Sequence, residues 1–190
     1  MKKISVWASG SGSNAENLIN YFKGHSGIRI DHILCNNAEA GVIERARRLG
    51  VECFVLARKD FREGERIMQI LHERKTDYIV LSGFLQMVPA EIIKHYTESI
   101  INIHPALLPD FGGKGMFGHH VHEAVLAAGK KESGITIHLV DEIYDHGKIL
   151  MQKTCPVQEN DTPEMLAARV HELEYKWFPV AVEQYISGWS

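Results

Sequence analysis

The sequence is poor in the features that mark secreted, zinc-binding and membrane proteins. Its three cysteines, Cys35, Cys53 and Cys155, are far apart and none belongs to a CxxC pair. Neither a disulfide framework nor a zinc knuckle is therefore expected, and a reducing cytoplasm fits this cysteine usage best. No apolar run approaches the roughly 20 residues that a transmembrane helix needs. The apolar stretch near the N-terminus is too short for a signal peptide, so a membrane is not an expected partner.

An excess of charge of one sign is also lacking. The chain has 21 basic and 24 acidic residues, a formal charge of −3, and no basic stripe of the kind that binds a phosphodiester backbone. Nucleic acid is therefore not an expected partner. There is no GxSxG elbow and no Cys–His pairing, so the sequence offers no activated serine or cysteine nucleophile.

The chain does have a clear alternation of short β-rich runs and longer helical patterns. Such alternation predicts βαβ units, and the fold class is therefore α/β with a mostly parallel, Rossmann-like sheet and flanking helices. With 190 residues, 45% of them hydrophobic, one domain spanning residues 1–190 is expected. The predicted strands are "KISVWA", "IRIDHILC", "VECFVLA", "DYIVLS" and "SIINIH", and the predicted helices cover 14–23, 41–49, 62–75, 89–96 and 119–128.

The C-terminal part breaks this alternation. Two strand patterns, "GITIHLV" at 134–140 and "ILMQKTCPV" at 149–157, follow each other without a helix between them. They predict an antiparallel excursion of the sheet, and a final helix is expected over 162–184. The loop "PDFGGKGMFG" at 109–118 is long and rich in glycine, which in a compact domain more often indicates a functional loop than an idle one.

A glycine-rich turn, "SGSGSN", lies between the first strand and the first helix. Gly10 and Gly12 allow close backbone approach to a ligand, and Ser13 with Glu16 resembles a capping box. The N–H groups of Gly12, Ser13 and Asn14 at a helix start could bind an anion. The turn lacks the third glycine of a dinucleotide fingerprint and the Gly-Lys-Ser/Thr of a Walker loop, which favours a phosphomonoester. The alternative is a tight turn that binds nothing.

Two polar residues, Asn102 and His104, alternate with apolar ones at the end of the fifth predicted strand. They share a strand face at the sheet edge where ligands of α/β proteins bind. An amide and an imidazole could stabilise an oxyanion and move a proton if a carboxylate lay nearby. The loop "DEIYDHG" offers Asp141, Glu142 and Asp145. Of these, Asp145 is favoured because it stands before His146-Gly147 in a turn that leads into the last strand. The alternative for His104 is a hydrogen-bonded structural histidine.

Four further features have two interpretations each. His119 and His122 stand at i and i+3 but lack a third ligand in a spacing such as HExxH, so no metal site is expected. His138 is either a cleft residue or a satisfied, half-buried histidine. The segment "SGFLQMV" at 82–88 could receive a flat aromatic ligand or belong to the core. Glu174, among aromatic residues of the last helix, is either a solvated flank or a cation-binding group.

Taken together, four segments resemble the glycinamide ribonucleotide transformylases, a family of folate-dependent enzymes of purine synthesis. The segments are "SGSGSN", "LSGFLQMVP", "NIHPALLP" and "DHGKILMQ", in the same order and at compatible spacings over nearly the whole chain. The resemblance implies transfer of a formyl group from 10-formyltetrahydrofolate to the amine of glycinamide ribonucleotide, without a metal. It implies that the catalytic residues are Asn102, His104 and Asp145.

The resemblance also implies where the two small-molecule substrates bind. The phosphate would be held in the N-terminal half, about 1–100, and the folate and the chemistry in the C-terminal half, about 80–190. The oligomeric state is open, with a homodimer as one alternative. The implied phosphate-binding residues are Gly12, Ser13 and Asn14, the glycinamide-binding residue is Glu174, and the folate-binding residues are Leu85, Gln86, Met87 and Val88.

Three other functions compete with this interpretation. A formyltetrahydrofolate hydrolase would direct the same three residues at water, but such enzymes usually add an N-terminal regulatory domain. A formyltransferase acting on initiator transfer RNA or a sugar nucleotide would be expected to add a C-terminal domain. From a different class, the chain could be a non-catalytic phosphate-binding α/β module.

Overall fold

The structure is a computed structural model and describes residues 1–188. Within this range, none of the helices combines the length and the apolar character needed to cross a membrane. The strands are β1 (Lys2–Ala8), β2 (Ile28–Cys35), β3 (Glu52–Val55), β4 (Tyr78–Leu81), β5 (Ile100–His104), β6 (Glu132–Leu139) and β7 (Ile149–Pro156). The helices are α1 (Ser13–Tyr21), α2 (Gly41–Leu49), α3 (Arg58–Glu63), α4 (Glu65–Arg74), α5 (Ala90–His95), α6 (His119–Ala127) and α7 (Pro163–Ser187).

The strands form a seven-stranded sheet in the order β3-β2-β1-β4-β5-β6-β7. Strand β1 pairs in parallel with β2 and β4, and β2 pairs in parallel with β3. Strands β6 and β7 pair antiparallel, with Glu132 opposite Pro156 at one end and His138 opposite Ile149 at the other. The α/β fold class and the antiparallel C-terminal excursion predicted from the sequence are therefore confirmed.

The chain divides into two compact units, Met1–Ile101 and Asn102–Ser190. In the N-terminal unit, the apolar runs of β1, β2 and β4 are buried almost completely, as expected for parallel strands covered on both faces. The indole of Trp7 packs edge-on against the rings of Phe61 and Phe84, at centroid distances of 5.8 and 5.3 Å. These aromatic contacts attach α3 and the segment after β4 to the first strand.

The start of α1 differs in one respect from the sequence prediction. The helix begins at Ser13, as expected, but its N-cap is Gly12 with φ 77°, and no side chain caps it. The predicted capping box of Ser13 and Glu16 is therefore wrong. The Glu16 carboxylate instead accepts hydrogen bonds from Arg45 and Arg48 of α2, and these two guanidiniums outcompete the helix N-terminus for it.

The single helix predicted over 62–75 is two helices. Gly64 has φ 80° and separates α3 from α4, since a left-handed residue cannot continue a right-handed helix. The earlier start of α3 is supported by Asp60, whose carboxylate accepts the Ala57 N–H at 2.8 Å. A local side-chain hydrogen bond thus supports helical structure from Arg58 onward, where the sequence has no apolar periodicity that predicts a helix.

In the C-terminal unit, α7 packs against β6, β7 and α6. Its buried face includes Phe178 and Val182, and the facing strand buries Ile135 and Ile137. The turn between β6 and β7 is tight at Gly147, where a Cβ atom would lie 1.8 Å from the Leu139 carbonyl oxygen. Only glycine fits there, which explains the glycine of the Asp-His-Gly sequence in this loop.

Candidate active site

His104 is the last residue of β5 and is only 4% exposed. Its Nε2 lies 2.8 Å from the carbonyl oxygen of Phe111, and its Nδ1 lies 3.6 Å from Oδ2 of Asp145. Because a carbonyl can only accept, Nε2 carries the hydrogen in this bond. The Nδ1 atom is therefore the one that can take up or release a proton, and it faces a carboxylate.

The charge state of His104 results from opposing effects. Burial lowers its pKa, while the Asp145 carboxylate and the Phe111 carbonyl raise it, and the net pKa lies below the ordinary value of 6.5. The neutral form of the ring therefore predominates at pH 7. The cost of burying an imidazolium exceeds the attraction of the Asp145 carboxylate across 3.6 Å.

Asp145 is held in place by the backbone around it. Its own φ is 54°, and its Oδ2 accepts the Gly113 N–H at 2.9 Å. Burial raises the pKa of Asp145, but the neighbouring His138 and His104 side chains and the Gly113 N–H together hold that pKa below its usual value. The side chain thus remains a carboxylate next to the imidazole.

Asn102 meets His138 on the neighbouring strand β6. The Asn102 amide nitrogen lies 3.0 Å from Nε2 of His138, whose Nδ1–H donates to the Leu139 carbonyl at 2.8 Å. The His138 Nε2 is therefore an acceptor and takes one of the two amide hydrogens of Asn102. The same Nε2 lies 3.6 Å from Oδ1 of Asp145. Asn102, His104, His138 and Asp145 thus form one group, here called the histidine–carboxylate cluster.

The sequence reasoning missed the network that anchors the segment after His104. The buried Thr136 hydroxyl donates to the Ala106 carbonyl at 2.7 Å and accepts from the Leu108 N–H at 2.9 Å. Gln152 donates to both the Leu108 carbonyl and the Thr136 hydroxyl, each at 2.9 Å. The available signal was a threonine on the same strand face as His138.

The glycine-rich loop 109–118 supplies two backbone contacts to the cluster. The Phe111 carbonyl orients His104, and the Gly113 N–H binds Asp145. Between them, a Cβ atom at Gly112 would lie 2.5 Å from a Leu108 side-chain carbon and 3.2 Å from Cβ of Asp145. The glycines therefore bring the main chain close to the cluster, a role that composition alone could not specify.

The glycine-rich turn belongs to the N-terminal unit. Gly12 is buried, and a Cβ atom added to it would lie 2.6 Å from Cβ of Val42. Arg45 fixes the preceding residue, because its Nε donates to the Ser11 carbonyl at 2.9 Å. The packing against Val42 and the bond from Arg45 therefore also favour the unusual backbone of this turn. The turn leads into the start of α1, where the first N–H groups of a helix do not bond to carbonyls of the same helix.

The segment 85–88 mixes exposed and buried side chains. Leu85 and Met87 are 57% and 58% exposed, whereas Val88 is 7% exposed. The Leu85 N–H donates to the Ser9 hydroxyl at 2.9 Å, which ties the segment to the end of β1. Two exposed apolar side chains, one residue apart on an anchored loop, are suited to the face of an aromatic ligand.

Glu174 lies on α7 and its side chain is 13% exposed, so it is not a solvated flank. Its Oε2 lies 2.9 Å from Nδ1 of His171. On α6, His119 pairs with Glu123 and Glu164 at 3.3 and 3.6 Å. Across residues 1–188, no group of three or more histidine, cysteine, aspartate or glutamate side chains is arranged to hold a metal ion.

Comparison with known proteins gives consistent matches. A family model described as "Formyl transferase" matches residues 2–182. A chloroplastic phosphoribosylglycinamide formyltransferase of Vigna unguiculata is 40% identical over 189 residues, covering 96% of this chain and 60% of that protein. The phosphoribosylglycinamide formyltransferase of Bacillus subtilis (strain 168) is 35% identical, covering 98% of this chain and 95% of that protein.

Solved structures agree with the sequence matches. The crystal structure of phosphoribosylglycinamide formyltransferase from Anaplasma phagocytophilum has a TM-score of 0.90 and 35% sequence identity, covering 98% of this chain and 88% of that one. The corresponding Streptococcus pneumoniae structure has a TM-score of 0.87 and 33% identity, covering 98% and 99%. The chain spans less than two thirds of the chloroplastic relatives of Vigna unguiculata and Arabidopsis thaliana, but nearly all of the proteins of Bacillus subtilis and Streptococcus pneumoniae.

Proposed function

Because the chain belongs to the formyl transferase family, we propose that it transfers a formyl group from 10-formyltetrahydrofolate to the amine of glycinamide ribonucleotide, a step of purine biosynthesis. The relatives named as phosphoribosylglycinamide formyltransferases support this choice of acceptor. The observation that carries the proposal is the orientation of His104. Its Nε2–H is committed to a carbonyl, which leaves Nδ1 beside the Asp145 carboxylate.

The reaction needs a base for the attacking amine and a donor for the oxyanion that develops on the formyl group. Asn102 uses one amide hydrogen on His138 and keeps a second, which would donate to the oxyanion. The neutral His104 would accept the amine proton at Nδ1, where Asp145 stabilises the resulting imidazolium. The same proton would then pass to the departing folate nitrogen.

The substrate contacts implied by the resemblance belong to the same proposal. The N–H groups of the turn at Gly12, Ser13 and Asn14 would bind the phosphate, since a helix start attracts an anion. Glu174 would bind the glycinamide end. The segment 85–88 would receive the pterin, which is consistent with the exposed apolar side chains of Leu85 and Met87.

The partners are proposed to be these two small molecules, without nucleic acid or membrane, and the compartment is proposed to be the cytoplasm. Two plant relatives are named as chloroplastic proteins, so cell fractionation is the matching test of the compartment. A homodimer is the alternative to a monomer, and sedimentation of the purified chain distinguishes the two.

The test is formyl transfer by the purified chain. With both substrates present, formylglycinamide ribonucleotide should appear in step with tetrahydrofolate, and exhaustive chelation should leave the rate unchanged. Release of formate without the ribonucleotide would instead identify a formyltetrahydrofolate hydrolase. Binding of the ribonucleotide without turnover would identify a non-catalytic phosphate-binding module.

A further inference from the structure

Lys130, in the turn after α6, contacts two consecutive residues of the loop 109–118. Its ammonium donates to Oδ2 of Asp110 at 2.7 Å and lies 5.7 Å from the centroid of the Phe111 ring, within the range of a cation–π contact. The carbonyl of the same Phe111 accepts the Nε2–H of His104 at 2.8 Å. A chain of direct contacts therefore joins an exposed lysine to the histidine of the candidate site.

The main chain on both sides of Lys130 is fixed. Gly129, with φ 61°, follows the end of α6, and the Lys130 N–H donates to the Val125 carbonyl of that helix at 3.4 Å. The carbonyl of the next residue, Lys131, accepts the Val157 N–H at 2.9 Å, which ties the turn to the residue after β7. Only the side chain of Lys130 therefore has to be ordered for it to hold the loop.

Phe111 is not held in place by its own conformation or by packing alone. Its φ is 55°, a left-handed conformation that a residue with a Cβ atom keeps only when its surroundings impose it. The residue is half-buried and borders a cavity of about 600 Å³, whose wall also includes Leu107, Val125 and Pro156. Because this side of Phe111 is not closely packed, other contacts have to fix the residue.

Lys130 supplies two such contacts from one ammonium group. An exposed ion pair such as Lys130–Asp110, with side chains 46% and 57% exposed, stabilises a protein only weakly by itself. Here the same cation also attracts the ring of the next residue, so that Asp110 and Phe111 are restrained together. The two contacts therefore favour the conformation in which the Phe111 carbonyl reaches His104.

We propose that Lys130 is a positioning residue, which holds Asp110 and Phe111 so that the Phe111 carbonyl keeps the hydrogen of His104 on Nε2. The inference rests on the proposed function, in which Nδ1 of His104 has to accept the proton of the attacking amine. Lys130 touches neither the substrates nor the reacting atoms in this account. Its loss should lower turnover, because a neutral ring with its hydrogen on Nδ1 cannot accept a second proton there.

The experiment compares Lys130→Met, which removes the cation but keeps an unbranched side chain, with Lys130→Arg, which can make both contacts. In Lys130→Met, kcat should fall about three- to tenfold, the combined scale of one exposed ion pair and one cation–π contact. The KM for the ribonucleotide should stay within about twofold of wild type. Lys130→Arg should recover most of kcat, and Asp110→Asn, which removes only the ion pair, should lose less than Lys130→Met.

A second measurement follows the His104 hydrogen directly. The nitrogen chemical shifts of a neutral imidazole distinguish its two tautomers in the unliganded chain, without turnover. Wild type and Lys130→Arg should have the hydrogen on Nε2. Lys130→Met should shift toward a mixture with the hydrogen on Nδ1, where the Asp145 carboxylate can accept it.

Lys131→Met is the matched control, because Lys131 is the next residue, is exposed and carries the same charge. Within residues 1–188, its ammonium pairs with neither Asp110 nor the Phe111 ring. Its kcat and its His104 tautomer should match wild type. A loss equal to that of Lys130→Met would mean that net charge is responsible, and it would overturn the proposal. A Lys130→Met chain that melts at a lower temperature but keeps the wild-type kcat and tautomer would overturn it as well.

The two proposals fail in distinguishable ways. If wild type transfers no formyl group, the proposed function is wrong, while the nitrogen shifts of the same variants still test the positioning role. An unchanged tautomer in Lys130→Met would then overturn that role by itself.

Discussion

The glycine-rich turn and the histidine–carboxylate cluster differ in the chemical groups that they could offer to a ligand. The turn offers backbone N–H groups at the start of α1, and the nearby Glu16 is occupied by Arg45 and Arg48. The cluster offers buried side chains whose protons are assigned by their partners. Backbone groups suit the binding of a group that does not react, whereas side chains can change their protonation during a reaction. Substitutions in the turn should therefore alter affinity, and substitutions in the cluster should alter turnover.

The largest effect is expected in the cluster. Asp145→Asn keeps the shape of the side chain but removes the charge that stabilises the His104 imidazolium, and His104→Ala removes the base. Each should lower kcat on the order of 10²–10³-fold while leaving the KM of both substrates nearly unchanged. Steady-state kinetics and melting temperature should be measured together.

Glu159→Gln is the control for this change, because Glu159 is an exposed carboxylate of the same unit. It should have normal kinetics. If the cluster variants melt at a lower temperature but their folded fraction has a normal kcat, His104 and Asp145 serve stability and not catalysis. The proposed difference between the cluster and the turn would then be wrong.

The next effect is on stability. It sharpens the comparison because it distinguishes a residue that holds the segment after His104 in place from the residues proposed to react. Thr136→Val keeps the volume of the side chain but leaves the buried Leu108 N–H and the Ala106 carbonyl without their partner. The free energy of unfolding should fall by about 1–3 kcal/mol, which denaturant titration measures. Thr136→Ser should restore most of it, and Thr154→Val, at an exposed position of β7, should have little effect.

A smaller effect is expected in the turn. Ser13→Asp adds a carboxylate at the first residue of α1, where negative charge stabilises the helix but repels a phosphate. The KM for the ribonucleotide should rise about tenfold, equivalent to about 1.4 kcal/mol, with kcat and the KM for the folate unchanged. Ser26→Asp places the same charge at an exposed position of the same unit and should behave like wild type. An equal rise in KM for both substrates would contradict the proposal that this turn binds the phosphate.

The smallest effect is a shift in pH dependence. In the proposed mechanism His104 is a neutral base, so kcat/KM should fall as the pH drops through its pKa, which lies below 6.5. Asp145 raises that pKa, so Asp145→Asn should move the acid limb to lower pH. Imidazole titration by NMR should show the same direction. A shift to higher pH would mean that the carboxylate is not the group that faces Nδ1.

Local patterns in the sequence predict the elements well because apolar periodicity is itself local. Eight of the predicted strands and helices, including β2 and α2, have both boundaries within one residue of those in the structure, whereas the break at Gly64 was not predicted. The strand order in the sheet depends on contacts distant in sequence, and no pattern within one element encodes it. The fold class could be predicted, and the order could not.

Only those parts of the candidate site that consist of distinctive side chains could be predicted from the sequence. Asn102, His104 and Asp145 are unusual residues in their local setting, and their types suggested chemistry. The backbone partners of His104 and Asp145 are the Phe111 carbonyl and the Gly113 N–H, which nearly all residue types offer alike. The neutral state of His104 could not be predicted either, because it depends on how completely the ring is buried.

The hydrogen bond between His104 and the Phe111 carbonyl has a consequence for mutational analysis. Since the acceptor is a main-chain oxygen, no exchange of the residue 111 side chain deletes it, and a mutational scan would report only whether the new residue tolerates φ 55° and keeps the ring contact with Lys130. Side-chain substitutions at this position therefore cannot detect the contact that places the His104 proton on Nε2. Replacing the following peptide amide by an ester, which weakens that carbonyl as an acceptor, would reveal it through chemical synthesis.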